Sequence, residues 1–276
     1  MKVRGRRECK QCGTQWTYYE TGSVACPECG SVESVGVGER ALHTDAPGDL
    51  DLAPVRRRVD ADPLAAVADD AKSRSRTYVR ERGFLDGGDL LELDDAYLAA
   101  RELLEAADRV GRSMALDDDE EWYFLELLDG ADESDRPGPD AVPAGLRTTR
   151  GLAVARSVED YLGEVRDWLD EHPAPEVRPL LARIDDHRRR LLAMQGDVPS
   201  PEAERLLAAT RAVSAYLREA IDAADDDAER EAVADAAELE EMADAVEREA
   251  VADAAGDEAA LDAAAGHLDR LDRLDE

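Results

Sequence analysis

Cys9-Lys10-Gln11-Cys12-Gly13 and Cys26-Pro27-Glu28-Cys29-Gly30 are the residues whose types and spacing specify chemistry most sharply. Two residues between the members of each pair let both sulfurs reach one ion at about 2.3 Å, and four thiolates close a tetrahedron around it. Gly13 and Gly30 follow the second cysteine of each pair, where the backbone turns its amides toward sulfur and a positive φ is convenient. An ion with four protein ligands keeps no open position, so it stabilises structure and does not activate water. Its binding energy, about 10–16 kcal/mol for structural zinc, would supply the folding energy that a segment this short cannot draw from a core. Four thiolates also hold redox-active iron. Softness and spacing favour one zinc ion held by Cys9, Cys12, Cys26 and Cys29.

The residues between the pairs must place the sulfurs. Gln15-Trp16-Thr17-Tyr18-Tyr19 alternates like a strand, Glu20-Thr21-Gly22-Ser23 makes a turn, and Val24-Ala25 leads back to the metal. Val32 to Val37 is the expected third strand. Trp16 and Tyr18 then share one face, with Tyr19 on the other. They fit either a small ribbon core or a platform on which bases stack.

Cys9 and Cys12, then Tyr18-Tyr19-Glu20-Thr21-Gly22-Ser23-Val24 before Cys26, Cys29 and Gly30, resemble the zinc ribbon of transcription factor IIB. The whole chain resembles an uncharacterised haloarchaeal zinc-ribbon family of that type, with an acidic helical domain after the ribbon. The resemblance to the transcription factor carries over only the four cysteines, as structural zinc ligands. Its basic cyclin-like repeats have no counterpart in the acidic helices here. The cysteine pairs are also similar to the knuckles of rubredoxins and of rubrerythrins, which implies an iron electron-transfer alternative. The Glu-x-x-His motif of the rubrerythrin di-iron domain is missing around His43, His172, His187 and His267.

Charge is extreme and unevenly placed. Acidic residues number 66 against 34 basic, a formal net of -32, and only Lys2, Lys10 and Lys72 among the basic residues are lysines. Residues 1–82 carry 14 basic and 13 acidic side chains, and the rest carry 20 and 53. Self-repulsion of this size opposes compaction in dilute buffer. At about 1 M salt the screening length falls to roughly 3 Å and the repulsion nearly vanishes. A carboxylate-rich, lysine-poor surface therefore points to a salt-accumulating cytoplasm. The charged amino-terminal residues run into no apolar stretch of the kind a signal peptide needs, and nothing approaches a membrane span. A cytoplasmic protein without membrane contact is expected.

The basic stretches are Arg4, Arg6, Arg7 and Lys10, then Arg56-Arg57-Arg58, and Lys72, Arg74, Arg76, Arg80 and Arg82. Arg4, Arg6, Arg7, Lys10, Trp16, Tyr18, Arg74, Arg76 and Arg80 are the candidate contacts to a nucleic-acid or protein partner. Neutralisation of the chain's own carboxylates is the alternative use of the same arginines.

Beyond the ribbon, apolar residues recur at helical spacing. The expected organisation is a small β zinc ribbon over residues 1–38 followed by an all-α helical bundle. A linker spans 39–61, a first helical part 62–130, a loop 131–149, an antiparallel bundle 150–222, and an acidic Ala-rich helical tail 223–276. Asp62-Pro63 is the expected start of the first helix, Asp89 with Glu92 the capping box of the second, and Asp117-Asp118-Asp119 the start of the third. His187 sits on an apolar stripe with no Cys, Ser or second His nearby in sequence, so no catalytic residue is expected, and no small-molecule substrate is implied. The expected role is a non-enzymatic, zinc-binding module or adaptor, transcription-related or nucleic-acid-associated, with a protein–protein scaffold capped by a structural ribbon as the alternative.

Overall fold

The computed structural model describes residues 1–46, 48–112 and 116–240, with side chains as far as residue 220. About 60% of the described residues are helical, and among them three small antiparallel sheets accompany the helices.

The amino-terminal segment builds two of these sheets. Strand β2 (Arg6–Cys9) is the centre of a three-stranded sheet, flanked by β3 (Gln15–Thr17) and β4 (Ser34–Val37). Arg7 stands opposite Trp16 on one side and Gly36 on the other. Tyr18 and Tyr19 do not extend β3 as alternation suggests. Residues Tyr18–Thr21 form one helical turn, α1. The turn is closed by the Tyr18 amide on the Gly5 carbonyl at 2.6 Å and by Gly22, whose φ of 59° lets its amide reach the Tyr18 carbonyl. A left-handed residue at that position ends a helix cheaply only as glycine.

Residues 39–61, expected as a linker, are part of the packed structure. Strand β5 (Ala41–Leu42) pairs with β1 (Lys2–Val3), and the short helix α2 (Ala53–Arg56) follows. Leu42, Leu50, Leu52 and Val55 are buried in the main core. Their spacing has no period because a winding segment, rather than a helix or strand, brings each one in.

The helical body consists of α3 (Leu64–Glu81), α4 (Asp95–Arg112), α5 (Asp118–Gly130), α6 (Arg147–Leu169), α7 (Arg178–Ala193) and α8 (Ser200–Glu240). Helix α4 packs on α3, α5 and α6, and α6 packs in turn on α7 and α8. Leu98, Leu103, Phe124, Leu127, Val154, Val158 and Leu206 lie fully buried between them. Each such side chain contributes about 1.5–3 kcal/mol relative to exposure.

Helix α5 starts where the aspartate run predicts, with Asp117 and Glu120 in a capping box. Helix α4 does not start at Asp89. Leu85–Asp86 (β6) and Asp89–Leu90 (β7) form a two-stranded hairpin around Gly87-Gly88, at φ 66° and 111°. The helix begins only at Asp95, where Asp94 Oδ1 accepts the Tyr97 amide at 2.7 Å. The expected loop at 131–149 holds three 3-10 turns and already includes the first turn of α6.

Between α4, α5, α6 and α8 lies an ionic cluster. Glu102, fully buried, accepts from Arg136 Nε and Arg150 Nη1 at 2.7 Å each and from the Tyr123 hydroxyl. Arg150 also donates to Glu204 at 2.8 Å and to the Pro137 carbonyl at 2.8 Å. Burial alone would raise the Glu102 carboxyl. The two guanidiniums and the phenol outweigh it and hold the group below its ordinary value.

No helix among the described residues is long and apolar enough to cross a membrane. The tail expectation falls partly on α8, described to Glu240, and otherwise on residues 241–276, outside the described residues.

Candidate metal centre

Cys9 ends β2, Cys12 sits in the turn that follows, and Cys26 and Cys29 occupy the matching turn before β4. The two turns repeat one hydrogen-bond pattern. The Cys9 amide reaches the Thr14 carbonyl at 2.9 Å and the Gly13 amide the Cys9 carbonyl at 3.0 Å. Cys26 with Ser31, and Gly30 with Cys26, do the same at 2.8 and 2.9 Å. Gly13 and Gly30 take φ of 75° and 70°, the conformation the sequence asks of them.

The four Sγ atoms lie within 4.8 Å of one another, with Cys9–Cys29 and Cys12–Cys26 each at 3.6 Å. A tetrahedral ion with bonds near 2.3 Å requires sulfur separations of about 3.8 Å, so the cluster has the size of a four-thiolate site. The Gln11 amide points at Cys9 Sγ from 3.4 Å, a supporting dipole for a thiolate. Cys9 and Cys26 are buried, whereas Cys12 and Cys29 are exposed, so the cluster sits at the edge of the molecule.

The thiols titrate unequally. Hydrogen bonding from Thr14, its side chain first and then its backbone, brings Cys12 down to about 6. At Cys29 the Ser31 backbone pulls the value down, but the neighbouring sulfurs, Cys12 foremost, and burial prevail and push it up to about 12. Sulfurs this close cannot all carry charge unless a cation shares it. Among the described residues no other group of cysteines, histidines and carboxylates is arranged to hold a metal.

The candidate contact residues divide between several surfaces. Arg4, Arg7 and Tyr18 come together with Lys2 and Arg40 around an open groove of about 630 Å³ on the β module. Arg7 is fixed there, its Nε donating to Ser34 Oγ at 3.0 Å. Arg6 alternates to the other face of β2, and Lys10 is exposed in the first cysteine turn. Neither lines the groove. Trp16 is half-buried, its Nε1 donating to the Ser23 carbonyl at 3.0 Å, which ties the indole into the module's own packing. Arg74 turns toward Asp70 and Asp51. Arg76 and Arg80 face a different depression with Arg82 and Arg101. Lys2, Arg40 and Arg101 carried no sequence signal, since only folding sets them beside the others.

The β module is joined to the helices by specific contacts. Tyr19 packs on His43, with ring centroids 4.6 Å apart, and Tyr18 meets the same ring edge-on at 5.9 Å. His43 is buried, with Nδ1 3.2 Å from an Asp86 oxygen on the hairpin. Thr44 and Phe84 both donate to Glu164 on α6, the Phe84 amide at 2.7 Å. Burial lifts the Glu164 carboxyl above its ordinary range in spite of these bonds. Trp168 Nε1 reaches the Gly88 carbonyl at 2.9 Å, and Lys2 pairs with Glu171 at 3.0 Å.

No curated protein and no solved structure matches the chain. A family profile does match, across residues 1–233, and so takes in the cysteine turns, the hairpin and the helical body together. The chain belongs to the family of unknown function DUF7117.

Proposed function

We propose that this chain is a non-enzymatic binding module of a salt-adapted cytoplasm, folded at its amino terminus around one structural zinc ion and receiving an anionic partner on the adjoining β face. The observation that carries this reading is the size of the four-sulfur cluster, which suits a tetrahedral ion with every ligand supplied by the protein. Such a site leaves no position for substrate or water. Cys9, Cys12, Cys26 and Cys29 would hold the ion, and its charge would neutralise the crowded thiolates. The groove bearing Lys2, Arg4, Arg7 and Arg40 is a basic surface on a chain of net charge -32, which favours an anionic partner such as a nucleic-acid strand. Tyr18 at its edge offers a ring beside the guanidiniums.

Elemental analysis and the visible spectrum of protein from a salt-grown expression host test the metal. One zinc per chain and no visible band support the reading, while a thiolate–iron spectrum overturns it in favour of electron transfer. Fluorescence anisotropy with labelled DNA and RNA, titrated across KCl, tests the partner. Binding should weaken steeply with salt. It should fall at least tenfold in Arg4→Glu/Arg40→Glu, two exposed positions, with a thermal melt to establish that the variant is folded.

The second reading, a scaffold capped by a structural ribbon, draws on the junction. Strand pairing β1–β5, the Tyr19–His43 contact and the Lys2–Glu171 ion pair tie the module to the helices. Absence of any salt-dependent binding in the anisotropy titration would favour it.

A further inference from the structure

Two hollows with apolar walls open on the surface, and the charge around them differs. One, of about 530 Å³, lies beside α2 and α5, where Trp122 is 72% exposed next to Val59, Leu125 and Leu128. Its rim is acidic. Glu126 and Asp129 face solvent, and Arg56 is already bound to Asp132 at 2.5 Å. The other is the groove of the β module, where Val3, Val24 and Val35 supply the apolar wall and Tyr18 a ring. Lys2, Arg4, Arg7 and Arg40 line it, and among the described residues no carboxylate does. Lys2 is neutralised by Glu171. Arg4 and Arg7 donate instead to uncharged acceptors, the Gly36 carbonyl and the Ser34 hydroxyl, and Arg40 is exposed with no carboxylate partner among the described residues. Three guanidinium charges are therefore uncompensated on this face.

A surface both apolar and cationic suits an occupant that carries carboxylates beside aliphatic side chains. The chain holds such a segment. Residues 241–276, outside the described residues, follow α8 and carry 12 acidic against three basic side chains. Leu268-Asp269-Arg270, Leu271-Asp272-Arg273 and Leu274-Asp275-Glu276 are three successive triplets, each setting an aspartate beside a leucine. Extended, the segment spans up to about 120 Å, against a radius of about 18 Å for a body of the size described, so the groove is within reach. The tether also holds it at an effective concentration on the order of millimolar. The Trp122 hollow meets the same segment with carboxylates and repels it.

We propose that residues 241–276 dock in the β-module groove, leucines against Val24, Val35 and Tyr18 and carboxylates toward Arg4, Arg7 and Arg40, so that an anionic partner must displace them. Only this displacement rests on the partner reading given above; the contact itself does not.

Photo-crosslinking of the full-length, metal-loaded protein at constant KCl tests it, with benzoylphenylalanine in place of Val24 or, as a control, of Trp122, and peptide mapping by mass spectrometry. The Val24 position should capture peptides from residues 241–276 of its own chain, at least fivefold more than the Trp122 position does. The yield should fall at least threefold in Arg4→Glu/Arg40→Glu and in Asp269→Asn/Asp272→Asn/Asp275→Asn, with thermal melts to establish that each variant is folded. Mixing light and heavy isotope-labelled protein separates contacts within one chain from contacts between copies. The proposal is overturned if the Val24 position captures no such peptide, if the Trp122 position captures as much, if the crosslinks join two copies, or if both charge variants leave the yield unchanged. An oligonucleotide bound in the anisotropy titration should lower the yield, and an unchanged yield overturns the displacement. Failure of every oligonucleotide to bind sinks the partner reading alone.

Discussion

The ring of Tyr19 lies so close to Gly87 that a β-carbon on that glycine would stand 3.0 Å from two of its atoms. Tyr19 belongs to the turn between the cysteine pairs and Gly87 to the hairpin before α4, so the contact locks the β module against the helices. Gly87 also has a φ of 66°, which costs an L-residue about 1–2 kcal/mol. Gly87→Val should lower the melting temperature of the whole chain while leaving its bound metal unchanged, as read by calorimetry and elemental analysis. An unaltered melt would mean that the two parts do not share one transition.

Removing the metal should loosen the β module first. After chelation, or in Cys9→Ser and Cys26→Ser, the amides of β2 and β4 should exchange with solvent far faster, because about 10–16 kcal/mol of binding energy is lost from a segment with little core. Helix α4 should keep its protection, being packed on three other helices. Hydrogen exchange read by mass spectrometry distinguishes the two regions, and unchanged β2 protection would remove the metal from its assigned role.

Glu102→Ala leaves Arg136 and Arg150 buried around a missing partner, and should cost about 3–5 kcal/mol in denaturant unfolding. A loss below about 1 kcal/mol would show that the cluster is solvated or that the arginines have found other acceptors.

The same carboxyl sets an expectation for acid. Its folded value lies below the ordinary 4.5, so the stability it contributes is complete above the unfolded value and is lost as pH falls through the folded one. Asp132 and Asp185 are also held low, burial opposing and their arginine partners, Arg56 and Arg188, prevailing. Stability should therefore drop steeply below about pH 4, and Glu102→Gln should flatten part of that fall. Glu164 acts in the opposite sense, because a raised carboxyl takes up its proton more readily in the folded chain. An acid limb identical in Glu102→Gln would contradict the assignment.

Salt should stabilise the fold. With a net charge of -32, repulsion between carboxylates is strongest in dilute buffer, and the melting temperature should climb between about 0.1 and 2 M KCl as the screening length shrinks. A flat or falling trend would rule out the salt-adapted reading.

The cysteine turns were legible because their chemistry is local: two residues between sulfurs and a glycine after them determine the geometry without help from the rest of the chain. The start of α5 was legible for the same reason, Asp117 and Glu120 being one turn apart. The start of α4 was not, because Asp89 and Glu92 copy a capping box. The competing signal was the Gly87-Gly88 pair, whose positive φ values close a hairpin and postpone the helix to Asp95. Alternation extended β3 through Tyr18 and Tyr19, but the chain gained more from a turn that delivers Tyr19 to His43 and Gly87. Residues 39–61 read as a linker since their buried leucines follow no period. Glu102 and Arg150 are 48 positions apart, and nothing in either neighbourhood announces the other. The groove of the β module and the arginine-bearing hollow beside α3 are likewise products of tertiary arrangement: Arg101 meets Arg76 and Arg80 only because α4 lies against α3.

The ionic cluster around Glu102 has a consequence for how this molecule experiences its solvent. Dissolved potassium and chloride blur the attractions and repulsions on the outer carboxylates and arginines, but they screen the buried Glu102 and Arg150 much less. Its pairing strength should thus change far less between brine and dilute buffer than that of the surface pairs. A chain whose exterior depends on the surrounding electrolyte carries at its centre an alignment pin that depends on it far less, so dilution should swell the outer elements before the helices lose their relative register.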